Sequence, residues 1–95
     1  MEVHIAELKA IADKLFKHLE QSGWEVVSIP HDYYWTIPKE MVYDLSKDPS
    51  ELTLGQLSFD LSDLKLIEVG EELPLSYGLL CLSSILREIG DQDVY

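Results

Sequence analysis

The residues of this chain best equipped for chemistry gather in "IPHDYYWTIP", residues 29–38. Histidine is the side chain whose charge changes near neutrality, and Asp32 beside His31 could orient its ring for general acid–base work. Two arguments weigh against that use. Successive side chains of an extended chain point to opposite faces, so adjacency in sequence is not adjacency of side chains. An aspartate at a turn also has a local task, accepting hydrogen bonds from nearby backbone amides. An enzyme or metal-dependent activity centred on His31 and Asp32 is therefore an alternative reading, and no catalytic residue is assigned.

Metal chemistry would need His31 to meet other ligands. His4 and His18 lie on one helix, roughly 21 Å apart at 1.5 Å per residue, so they cannot share an ion. No HxxxH or ExxH spacing and no EF-hand loop occurs. Ser83 and Ser84 sit in the apolar run "GLLCLSSIL", where serines bond back to the preceding turn. Gly55 and Gly78 stand alone, not in a phosphate-cradling loop. The expectation is a protein without cofactor or metal.

What remains is aromatic and acidic: Trp24, Asp32, Tyr33, Tyr34, Trp35, Tyr43 and Asp44. Tyrosine and tryptophan give large contact areas at low entropy cost, and flanking acids suit a basic protein partner. The same rings are also what a small core needs, and core is the favoured use for most of them. The candidate binding residues are Asp32, Tyr34, Tyr43, Asp44, Asp60 and Asp63, with Tyr34 and Tyr43 the expected surface aromatics.

These side chains need elements to place them. Ile5, Leu8, Ala12, Leu15 and Leu19, widened by Ile11 and Phe16, predict a first helix that Gly23 closes as a left-handed cap. The runs "WEVVSI" and "YYWTI" flank "PHD" and predict a β-hairpin of about 24–29 and 33–37. Tyr33, Trp35 and Ile37 would share one face, with at least one of Tyr33 and Trp35 in the core. Residues 39–45 read equally as a short helix after Pro38 or as a third strand. Thr53 and Gln56 form a capping-box pattern, and Leu57, Leu61 and Leu64 continue at helical spacing. A second long helix is expected from Leu54 or Ser58 to Glu68, closing at Gly70. The last segment, "SYGLLCLSSILREIG", is apolar on most sides, which suits a central helix closed by Gly90 or a homodimer contact over about 76–89. The sum is one α+β domain over residues 1–95, with three main helices and a small antiparallel sheet.

Charge narrows the partners. The chain holds 18 acids against seven Lys and Arg, a formal net charge of −11. Residues 1–23 carry four acids and three bases, so nearly all the excess lies downstream. Such a surface repels nucleic acid and anionic lipid and attracts cationic proteins. The expectation is no nucleic acid and no membrane as partner. Cys81 is alone, so no intramolecular disulfide can form. The N-terminus has acids where a secretory signal has bases, which points to a cytoplasmic protein.

The run "HDYYWTIPKEMVYDLSKDPSELTLGQLSFDLSDLKLI", with the closing "ILREIG", resembles a group of small bacterial proteins of uncharacterised function over about residues 24–90. That group shows a YYW-I segment, a Tyr-Asp, a proline loop, a GQL step and an amphipathic helix with acids. The resemblance implies a bacterial, single-domain, cytosolic protein and transfers no activity. By size and charge the chain is also analogous to immunity proteins of bacterial toxin systems. The leading expectation is therefore a small acidic, non-enzymatic interaction module for a basic protein partner, with immunity to a toxin as its most concrete form. The alternative is a structural or regulatory homodimer subunit.

Overall fold

The computed structural model describes residues 1–46, 51–92 and 94. The elements run α1 (Ile5–Gln21), β1 (Tyr33–Thr36), α2 (Lys39–Val42), β2 (Thr53–Gln56), α3 (Leu57–Glu68) and α4 (Leu75–Asp91). The architecture is α+β with three main helices, a short fourth and a two-stranded antiparallel sheet. Among the described residues, no helix is long and apolar enough to cross a membrane.

Glycines end two of the helices where expected. After α1, Gly23 takes φ 94°, its N–H bonds the Glu20 carbonyl, and the Trp24 N–H reaches the Leu19 carbonyl. After α3, Gly70 takes φ 91°, with matching bonds from Gly70 to Ile67 and from Glu71 to Leu66. Both are Schellman caps, which recover carbonyls the helix end would leave unpaired. Gly90 does not play this part, because α4 runs through it to Asp91. Residues 39–45 resolve in favour of helix: Pro38 precedes α2, and its carbonyl accepts the Met41 N–H.

The sheet differs from the expected hairpin. β1 falls within 33–37, but its partner is Thr53–Gln56, in the register Tyr33↔Gln56 to Thr36↔Thr53. Residues 24–29 form no strand, despite their β-branched content. β propensity needs a neighbouring strand to act on, and β1 takes its hydrogen bonds elsewhere. Thr53 and Gln56 are strand residues, so the capping-box reading fails, and α3 starts without a cap from either side chain. Thr36 and Thr53 face each other instead and pair through their hydroxyls.

The faces of β1 are also inverted. Tyr34 and Thr36 are the half-buried residues, while Tyr33 and Trp35 are exposed, Trp35 by 67%. Tyr34 lies across Gly55, where an added Cβ would collide with its ring. That explains a glycine inside a strand with no positive φ.

The apolar core is very small. Among the described residues, Leu57 and Cys81 are the buried hydrophobic side chains. The accessible surface is 8355 Å², against roughly 5,600 Å² for a folded monomer of this mass. The radius of gyration is 15.4 Å, against about 12 Å for a compact chain of this length. α3 and α4 pack closely on each other, whereas α1 buries no residue. Its Ile5, Leu8, Ile11 and Leu15 remain exposed.

Substitution of Gly55 tests the strand pairing. Gly55→Ala should cost about 1–3 kcal/mol, and the cost should shrink when Tyr34→Ala is present in the same chain. Denaturant unfolding of wild type, both single variants and the double variant measures that coupling. Strictly additive losses would mean the ring is not the obstacle.

Candidate functional site

Each carboxylate that the sequence offered for binding is placed by a different piece of local structure. Asp32 precedes β1 and turns toward the start of α3. Its carbonyl accepts the Leu57 N–H at 2.7 Å. Its carboxylate accepts the Ser58 N–H at 2.7 Å, the Ser58 hydroxyl at 2.8 Å and the Gln56 amide at 2.6 Å. A carboxylate on the second amide of a helix does the work of an N-cap and meets the positive end of the helix dipole. Asp32 thus caps a helix more than twenty residues away. The Gln56 and Ser58 side-chain bonds, helped by the Ser58 amide, hold its carboxyl below the usual aspartate range against a small opposing effect of burial.

Asp60 projects from the first turn of α3 between β1 and α4. It accepts from Tyr34 Oη at 2.6 Å and lies 2.6 Å from Ser84 Oγ. The Ser84 proton is shared with the Cys81 carbonyl at 2.8 Å, the back-bond expected of a serine in a helix. One carboxylate therefore joins strand, α3 and α4. Burial raises the Tyr34 pKa, and its bond to Asp60 raises it further. One turn on, Asp63 accepts from Tyr77 of α4 in a short contact that also raises the Tyr77 pKa.

His31 does not meet Asp32. Its Nε2 donates to Glu88 Oε2 at 2.7 Å, tying the loop before β1 to α4. Glu88 is 8% exposed; a buried carboxylate needs such a partner. This pair was not visible in the sequence, where the two residues are 57 positions apart. The pattern that could have flagged it was an acid among the apolar residues of the last helix. Among the described residues, no group of three or more His, Cys, Asp or Glu could hold a metal ion.

The two remaining candidates lie beyond this network. Tyr43 is 91% exposed. Asp44 accepts from the Ser46 N–H at 3.2 Å and the Ser46 hydroxyl at 2.5 Å, a local turn. So Asp32, Tyr34, Asp60 and Asp63 are joined internally, and Tyr43 presents its whole ring to solvent. Glu25, Glu40, Glu51, Glu68, Glu71 and Glu72 are exposed as well. No family model matches the chain, and no curated protein or solved structure is significantly similar to it.

Two outcomes follow from this geometry. A carboxyl held low in the folded state stabilises fully above the ordinary aspartate pKa, and that contribution is lost as pH falls through the folded value. Asp32→Asn should therefore lower stability at neutral pH and flatten its loss in acid. Urea midpoints of both proteins along the acid limb test this, and parallel curves would contradict it. Cys81 is 3% exposed and burial raises its thiol pKa, partly offset by the Tyr77 bond. A thiol reagent should label it only at the rate of unfolding; prompt labelling in native buffer would rule out the buried position.

Proposed function

We propose that this chain is a non-enzymatic interaction module that binds a basic protein partner through its free acids and Tyr43. The observation that carries the reading is a division among the carboxylates. Those of Asp32, Asp60, Asp63 and Glu88 are engaged within the fold, while exposed glutamates, Glu25, Glu40, Glu51, Glu68, Glu71 and Glu72 among them, add to a net charge of −11. Glu68, Glu71 and Glu72 lie together from the end of α3 into the turn before α4, and Tyr43 offers an uncovered aromatic of the kind that anchors interfaces. A field of this sign accelerates encounter with a cationic surface. Immunity to a toxin with a basic substrate groove is the most concrete form. A nucleic-acid mimic is a variant of it, though that would need acids spaced like phosphates over an extended surface.

A second reading is a structural or regulatory subunit that dimerises through its last helix. It draws support from Leu79, Leu80 and Leu82, which α4 leaves exposed.

The test is the association rate of a partner captured from the native cell. That rate should fall steeply as salt rises, because Debye screening shortens the reach of the acids. Neutralising Glu68, Glu71 and Glu72 together to Gln should slow association by about tenfold and leave the unfolding midpoint unchanged. A partner without excess Lys and Arg, or a rate indifferent to salt, would count against the acidic face.

A further inference from the structure

The network of internal carboxylates leaves one large feature without a role, the apolar face of α1. Ile5, Leu8, Ile11 and Leu15 form an exposed stripe along it. The C-terminal half of the same face borders a groove of about 370 Å³ whose far wall is Leu86 and Ile89 of α4. We propose that this face is covered by the same face of a second copy, in a two-fold symmetric homodimer. The proposal does not rest on the acidic-face reading, and it places the contact on α1 and the end of α4, not on the outer leucines of α4.

Three arguments select a second copy as the occupant. The first is area. The chain exposes roughly 2,800 Å² more than a compact monomer of its mass. An obligate homodimer takes about 1,000–2,500 Å² from each copy, so the surplus can supply such an interface.

The second is charge. Between Ile5 and Gln21 the acids Glu7, Asp13 and Glu20 are matched by Lys9, Lys14 and Lys17. α1 is therefore neutral in a chain of net charge −11. A cationic partner drawn by the rest of the molecule gains nothing there, while two like-charged copies can approach through α1 with their acids held apart.

The third is self-complementarity, which an isologous contact requires. At about 100° per residue, Glu7 and Lys14 fall on one flank of the stripe, and Lys9 and Asp13 on the other. Both pairs are centred at Ile11 or within half a residue of it. A two-fold axis near Ile11, perpendicular to antiparallel helices, sets each of these acids against the matching base of the other copy. It also buries the apolar stripe against itself, with Ile11 facing its equivalent and Leu8 lying within about one residue of Leu15 in the other copy.

Sedimentation equilibrium of the full chain provides the test. The wild type should sediment at twice the 10.9 kDa chain mass, and the dimer should hold or tighten as salt rises, the reverse of the acid-driven association above. Leu8→Glu with Ile11→Glu should raise the dissociation constant by more than about 100-fold. Both positions are exposed, so helical circular dichroism should be retained. Ile11→Cys, lying near the axis, should form an interchain disulfide on mild oxidation, whereas Tyr43→Cys should not. This readout stands even if the double glutamate variant misfolds. A monomer at every concentration, an assembly larger than two, or a dimer that survives both glutamates would overturn the proposal. So would crosslinking at Tyr43→Cys but not at Ile11→Cys.

Discussion

This fold depends on carboxylates used as joints. Asp32 holds the loop before β1 to the start of α3, Asp60 joins β1, α3 and α4, Asp63 joins α3 to Tyr77, and Glu88 anchors His31. Each accepts a hydrogen bond from a group on another segment at a junction. Hydrogen bonds to charged acceptors are stronger than neutral ones. Those of Asp60 with Tyr34 and Ser84 and of Glu88 with His31 are partly shielded from water, whereas the Asp32–Ser58 and Asp63–Tyr77 bonds lie at the surface, where water competes. Beside a described apolar core of Leu57 and Cys81, the shielded junctions count most.

The joints explain why the elements meet as they do. Asp60 can reach Tyr34 only if Tyr34 points inward, which sends Tyr33 and Trp35 to the outer face of β1. Inward pointing then lays the Tyr34 ring over Gly55, and glycine is the residue that leaves room for it. Asp32 reaches Gln56 and Ser58 because the β1–β2 register sets Tyr33 opposite Gln56. The cap and the register support each other. α1 has no such joint among the described residues, and like the short α2 it has no buried residue; the second copy proposed above would cover its amphipathic face.

Much of the local structure was legible in the sequence. Apolar spacing located α1, α3 and α4, and Gly23 and Gly70 marked two helix ends because left-handed backbone favours glycine there. What could not be read was anything decided between distant segments. "WEVVSI" has more strand character than "TLGQ", yet β1 pairs with the latter, since strand pairing is decided by tertiary neighbours and not by local propensity. The faces of β1 were misjudged because alternation gives two faces but not which one meets the helices. Asp32, Tyr34, Asp60 and Asp63, expected from the sequence as contacts for a partner, are engaged in hydrogen bonds within the fold, a use set by segments distant in sequence.

The most direct measurement is the unfolding free energy of Asp60→Ala compared with Leu80→Ala. Asp60 serves two hydroxyls at a three-way junction, whereas Leu80 is a large apolar side chain that is 69% exposed. If carboxylate joints hold the structure, Asp60→Ala costs about 1–3 kcal/mol and Leu80→Ala within about 0.5 kcal/mol of nothing. Equal losses, or a larger loss at Leu80, would show that apolar contact and not the acid is what keeps strand and helices together.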